Sequence, residues 1–311
     1  MRGTGTRAAV AGAALTLGLA AIGGSAGATT AAAVATTPYP WPVRPFDAPH
    51  AIRGGFDDPR IGRRSRNFHF GIDIAVRDGT PVYSVAPGVV YLRHANAVCI
   101  RTNADQAFAY WHVLPVVDAG TAVAARQLIG YVQRGWGHVH FAEIENGYIV
   151  NPTRPGALDP TGDHVPPTIA AVFASVRGAD ADLLSLKGTF DLVADVNDTG
   201  DLRPAGAWRD AVVSPALLEW RLERNGQAQT GWNVAADFRM FRLPDAEFDA
   251  VYAPGTRQNT PGSPGRYLIS LAHRFDGAQL HGDYRLRVRA SDSAGNTTVR
   301  VFPVHFANAQ R

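Results

Sequence analysis

At 311 residues, with 46% hydrophobic and 18% charged side chains, the chain is long and apolar enough for two globular domains. The formal net charge is +3, and removing Arg2 and Arg7, which fall in a segment that reads as cleaved, leaves +1. Despite a sequence pI near 9.2, that balance gives no electrostatic case for a nucleic-acid or strongly acidic partner.

Residues 1–35 read as a secretory signal peptide. Arg2 and Arg7 form a basic n-region, and Ala8 to Ile22 is an uncharged Ala/Leu/Val-rich stretch. Small-residue sites come next at Ala26-Gly-Ala28 and Ala33-Val-Ala35. The stretch is short for a span of about 20 residues and is diluted by Gly and Ala. A secreted or cell-wall-associated protein, without a stable membrane span after cleavage, is the expectation.

Residues 36–60 form a lead-in with six prolines, several beside Tyr39 or Trp41, and no periodicity. It reads as extended chain packed on the first domain. Residues 61–156 are short β-like runs separated by turns: Pro81 to Val85, Val89 to Leu92, Val98 to Arg101, Ala107 to His112, Gln127 to Val132 and His138 to Phe141. No long 3.6-residue period appears, so an all-β domain is expected. Cys99, the single cysteine, sits in one of these runs and reads as a small buried residue, not a nucleophile.

A Pro/Gly/Asn-dense boundary spans Asn151 to Pro167, with 157–167 as the linker. Residues 168–311 then supply six or seven short strands over roughly 145 residues, the signature of an Ig-like or fibronectin-like β-sandwich. Their last two strands are joined by Ser291-Asp-Ser-Ala-Gly-Asn296, a hairpin-type connection. No repeat relates the two halves.

Four of the ten histidines carry the chemical signal. His138-Val-His140 places two imidazoles on one face of a strand, and the same alternation puts Tyr110 and His112 on a shared face. His69 and Asp73 would stand about 13 Å apart on a straight strand, at ~3.3 Å per residue. Gly71 between them allows the backbone to hook and bring them together. Two histidines and a carboxylate suit Zn²⁺ and leave a position open for water, as catalytic zinc requires. Further histidines would move protons or stabilise an oxyanion. Spacing alone does not say which member of His138-Val-His140 binds metal.

The segment from about residue 50 to 156 resembles the LytM/lysostaphin-type M23 zinc metallopeptidases. The resemblance rests on Phe56-Asp-Asp-Pro-Arg60, His69-Phe-Gly-Ile-Asp73, Gly79-Thr-Pro-Val-Tyr83, Gly88-Val-Val90, Tyr110-Trp-His112, Ile129-Gly-Tyr-Val132 and Gly137-His-Val-His-Phe141, in that order, with Asn151-Pro152 at the exit. It implies a twisted antiparallel sheet with a groove, and hydrolysis of peptide bonds in peptidoglycan stems or cross-bridges. It implies His69, Asp73 and His140 as zinc ligands, with His112 and His138 as the unligated catalytic pair.

Two features depart from the family. Phe141-Ala-Glu143 moves an acidic residue one position along, which on a regular strand sends it to the opposite face. The loop Gln133 to Gly137 is short and lacks a Ser/Thr-rich stretch. The other histidines read as structural, and Trp208, Trp220 and Trp232 as sandwich core. Asp292 and Asn296 read as turn residues rather than a calcium site. Two alternatives stay open: a metal-stabilised wall-binding or regulatory protein, and a zinc protease acting on exogenous protein.

Overall fold

Short runs of β-branched and aromatic residues, each cut off by Gly, Pro or Asn, favour strands over helices. The computed structural model describes residues 37–308 and obeys that rule. The expected signal segment, 1–35, lies outside the described residues. Among the described residues the one α-helix is a single turn, α1 (Phe248–Val251).

The first half contributes β1 (Ile52–Gly54), β2 (Pro59–Ile61), β3 (Arg66–Phe68), β4 (Ile72–Ala75), β5 (Pro81–Tyr83), β6 (Gly88–His94) and β7 (Ala97–Arg101). It continues with β8 (Gln106–Trp111), β9 (Val113–Pro115), β10 (Ala122–Val123), β11 (Leu128–Val132), β12 (His138–Glu145) and β13 (Tyr148–Val150). The main antiparallel sheet runs β1-β4-β12-β8-β7-β6-β10, with β13 also on β12. A three-stranded sheet β5-β11-β9 and the hairpin β2–β3 complete this half.

β12 is the organising strand. Val139, Phe141 and Glu143 face the interior, where Phe141 stacks on Phe108 at 5.8 Å between ring centroids. His138, His140 and Ala142 face the other way. The β12–β8 register is unbroken from His140 opposite Trp111 to Glu145 opposite Gln106, so no bulge realigns Glu143. The displaced acid is therefore a core residue. It is fully buried and paired with Arg154 at 2.6 Å, and accepts hydrogen bonds from the Tyr39 hydroxyl at 2.6 Å and from Gln106 at 3.0 Å. This ties the lead-in and the chain beyond β13 to the back of the sheet. Tyr39, Trp41 and Val43 are buried in it, as are Ala157 and Leu158.

The second half supplies β14 (Thr168–Val176), β15 (Ala179–Ala181), β16 (Thr189–Asn197), β17 (Leu217–Arg224) and β18 (Gln227–Ala228). It ends with β19 (Asn233–Asp237), β20 (Leu268–Asp276), β21 (His281–Ser291) and β22 (Thr297–Ala307). One sheet runs β15-β14-β16-β20 and the other β18-β17-β21-β22, with β19 on β17. Strict alternation on β16 points Phe190, Leu192, Ala194 and Val196 inward. Across the gap lie Leu218, Trp220, Leu286 and Phe306, and Trp220 meets Phe275 edge-on at 5.6 Å. Two facing sheets are established; an Ig-like or fibronectin-like label goes beyond these pairings. Of the three tryptophans expected in this core, only Trp220 is there. Trp232 lies on the outer face between Arg221 and Arg289, and Trp208 reaches the first half.

The excursion between β19 and β20 joins the halves. Its Phe238, Phe248 and Tyr252 surround Phe68 of β3 at centroid distances of 6.3, 5.3 and 5.7 Å. Full burial of one such phenylalanine contributes about 1.5–3 kcal/mol. A single hydrophobic core consequently runs through both halves.

Candidate metal centre and active site

β4 lies beside β12 in the sheet, with Asp73 opposite His140. His69 comes directly after β3, and the chain bends at Phe70-Gly71 before β4 begins. Gly71 has no left-handed φ; its need for glycine is proximity. A Cβ there would lie 2.3 Å from the Phe141 carbonyl oxygen and 3.0 Å from the His140 ring. The hook expected at this glycine forms because the chain can press directly onto β12.

The result is a tight triangle. His69 Nε2 lies 2.8 Å from His140 Nδ1, and Asp73 Oδ1 lies 3.2 Å from each. For ligands about 2.0–2.1 Å from a zinc ion, tetrahedral geometry puts neighbouring donor atoms about 3.3 Å apart, so this set is close to the required size. The outer contacts select the donor atoms. His69 Nδ1 is 2.6 Å from the Gly55 carbonyl and so carries the proton, leaving the Nε2 lone pair facing inward. Asp73 Oδ2 accepts from Arg60 at 2.8 Å, leaving Oδ1 to face the histidines. His140 Nε2 is buried without a hydrogen-bond partner among the described residues. The three side chains fit a metal ion held by two nitrogens and one oxygen.

Electrostatics agree with the geometry. Burial alone would raise Asp73, but His69, His138 and Arg60 outweigh it and hold its carboxyl well below the usual carboxylate range. Burial pushes His140 down to about 4 and lowers His69 as well. An ionised carboxylate and neutral imidazoles are the forms a metal binds.

His138 and His112 stand beside this triangle. His138 Nε2 is 3.4 Å from Asp73 Oδ1, and its Nδ1 is 2.8 Å from the Trp136 carbonyl. The His112 and His138 rings are 4.6 Å apart, and His112 lies flat against Trp136 at 3.6 Å. Burial pushes His112 down to about 3, and its Nδ1 finds no partner among the described residues. The expected shared face of Tyr110 and His112 is not observed: Tyr110 is in the core, 5.4 Å from Phe141. β8 ends at Trp111 and His112 takes φ 64°, a left-handed conformation that breaks the alternation and swings its ring to the histidines.

The second half props this site from behind. The His69 main chain is locked to Asp57 and Asp58, donating to the Asp58 carbonyl at 2.9 Å and accepting from Asp57 at 3.0 Å. Asp58 accepts from Ser214 at 2.7 Å and from the Tyr267 hydroxyl at 3.2 Å, and Tyr252 donates to the Asp57 carbonyl at 2.8 Å. The sequence pattern assigns Arg60 no role, although it stands in the Phe56–Arg60 motif, and it holds no signal for Tyr252 or Tyr267. Elsewhere, Cys99 is buried and pushed up to about 11 by that burial, in keeping with an inert core thiol. Asp163, Asp198 and Asp292 form a second group of neighbouring carboxylates. Asp292 caps the hairpin turn as expected, accepting from the Asn296 amide at 2.8 Å.

Residues 67–152 match the family model for peptidase family M23, and this segment is M23-type. Among curated relatives, the DD-carboxypeptidase/endopeptidase Mpg of Neisseria meningitidis and that of Neisseria gonorrhoeae are each 34% identical over 129 residues. The match covers 39% of this chain and only 30% of theirs. Similar solved structures include a zinc-containing peptidase from Vibrio cholerae (27% identity, TM-score 0.31, 36% of this chain and 37% of that one). Another is a mutant catalytic domain of the prophage-encoded M23 protein EnpA from Enterococcus faecalis (28%, TM-score 0.30, 37% and 98%).

Proposed function

We propose that the chain is a secreted, zinc-dependent endopeptidase that hydrolyses peptide bonds in peptidoglycan. The observation that carries this reading is the convergence of His69 Nε2, Asp73 Oδ1 and His140 Nδ1 beside two further histidines, His112 and His138. The peptidoglycan substrate is supported by the naming of the Mpg relatives as carboxypeptidase/endopeptidases and by the M23-type segment. Secretion is supported by the basic and apolar composition of residues 1–35.

When bound by His69, Asp73 and His140, zinc supplies a Lewis acid that polarises a carbonyl and makes water nucleophilic near neutral pH. The remaining work falls to side chains of this protein. His112 is held neutral by burial, so a ring nitrogen can accept a hydrogen bond from the attacking water and orient it. Trp136 keeps its ring from turning. His138 presents Nε2 on the same side and can hydrogen-bond the oxygen on which charge develops. Phe70, half exposed over His140 at 4.2 Å, forms a wall against which a substrate peptide can lie.

Zymography tests this reading. Clearing of a peptidoglycan gel that is lost with chelator and regained with zinc supports it. Clearing of casein without clearing of peptidoglycan would instead favour a protease for exogenous protein, and no clearing of either would favour a non-catalytic wall protein.

A further inference from the structure

The histidine site is completed from outside the M23-type segment. In the β1–β4 ladder Ile52 lies opposite Ile74 and Gly54 opposite Asp73, so two steps on β1 match one on β4 and Arg53 is the extra residue. A bulge of this kind bends the strand and re-aims a side chain. Here it sends Arg53 to the rear edge of His138, with Nη2 2.5 Å from Nδ1. The other face of the guanidinium is covered by Trp208, whose ring centroid is 4.1 Å from the Arg53 Cζ. Trp208 ends a short 3₁₀ turn, Gly206–Trp208, in the second half. The Arg53 carbonyl also accepts from the Asn259 side chain at 3.3 Å. Arg53, Trp208 and Asn259 all fall outside residues 67–152.

An arginine side chain is long, and one contact to an imidazole would not hold it in place. A tryptophan face over the guanidinium adds a cation–π attraction and fixes its plane. Arg53 has consequences for His138 because Nδ1 has two neighbours with opposite demands. The Trp136 carbonyl requires Nδ1 to carry a proton, whereas a guanidinium, which only donates, requires a lone pair there. One nitrogen serves one of them at a time. Arg53, packed against that edge, sets the orientation of the ring, and with it where Nε2 stands toward the substrate.

We propose that Arg53 is a positioning residue for His138 and that Trp208 holds it there, so that the second half is a working part of the active site. The proposal rests on the reading of His138 as a group that acts on substrate. It gives the second half a role that a spacer or a separate wall-binding module would not have.

The test uses the full-length, zinc-loaded protein, with kcat and KM measured on a soluble peptidoglycan fragment. Alongside, the His138 ring nitrogen signals are tracked by NMR. Trp208→Leu is expected to lower kcat about ten- to a hundred-fold, with KM and zinc content unchanged, because small misplacements of a catalytic group have large effects. Trp208→Phe, which keeps a ring, restores most of that loss. Arg53→Met lowers kcat similarly, and adding Trp208→Leu to it changes nothing further. The His138 signals shift in Trp208→Leu and return in Trp208→Phe. Unchanged kcat and unshifted signals in Trp208→Leu would overturn the proposal. So would losses that multiply in the double variant, or a loss explained entirely by unfolded or zinc-free protein. If the wild type fails to cleave peptidoglycan while the His138 signals respond as stated, the substrate reading fails and the positioning role stands.

Discussion

His69 Nε2 and His140 Nδ1 stand 2.8 Å apart, with Asp73 Oδ1 3.2 Å from each. Three donors this close, two of them held neutral by burial, are a costly arrangement unless a cation sits among them. His140→Ala removes one donor of three, and the remaining pair cannot hold zinc through gel filtration. Metal analysis of the eluted protein is expected to find about one zinc per chain in the wild type and almost none in the variant. Equal zinc in both would mean the ion binds elsewhere.

Gly71→Ala tests the hook. The added methyl would meet the Phe141 carbonyl oxygen at 2.3 Å, so either the bend or β12 must move. Overpacking of this sort costs about 1–3 kcal/mol. Both the melting temperature and zinc affinity should fall. A variant matching the wild type in both would show that the chain does not press on β12 here.

The network behind the sheet should matter for stability and not for chemistry. Glu143→Ala leaves the buried Arg154 guanidinium without its main partner, and breaking a buried pair in this way costs about 3–5 kcal/mol. Denaturant unfolding should register that loss. The activity per folded molecule should be unchanged, because Glu143 faces away from the histidines. A large fall in kcat of the folded fraction would place the acid in the site.

Acid sensitivity arises from the buried rings. Burial holds His112 at about 3 and His140 at about 4, below the usual ~6.5 of a free histidine. As pH falls below 6.5 the unfolded chain takes up these protons while the native chain does not, so unfolding is favoured progressively, down to about pH 4 through His140 and about pH 3 through His112. The melting temperature of the metal-free protein should therefore drop across that window. Asp57 works in the opposite sense: burial pushes it up to about 8, so the native chain keeps a proton that the unfolded chain releases, and stability is lost as pH rises toward 8. Asp57→Asn should remove this opposing slope between about pH 4 and 8, flattening the profile above pH 6.5 and steepening its acidic side. Loss of the acidic side in that variant would contradict this assignment.

Local pattern makes much of the site legible. His138 and His140 share a face because strands alternate, and alternation also puts Glu143 on the other side. His69 and Asp73 are a plausible pair once a bend at Gly71 is allowed, although the physical reason is close approach and not a left-handed turn. His112 escapes the same reasoning, because φ 64° at the end of β8 overrides alternation and no residue type there announces it. Arg53 and Trp208 are beyond reach for another reason: a bulge leaves no mark in composition, and the stack joins residues far apart in the chain. Pattern overstates the sandwich core, since a tryptophan on an outer face among arginines looks the same in sequence as one inside.

The most direct test of the account is to incubate zinc-loaded wild type and His138→Ala with purified muropeptides and identify the products by mass. The wild type is expected to yield peptides cut within the stem or cross-bridge. His138→Ala, folded and carrying the same zinc, is expected to be slower by about a hundred-fold or more. Full hydrolysis by His138→Ala, or no peptide-bond cleavage by the zinc-loaded wild type, would contradict the account.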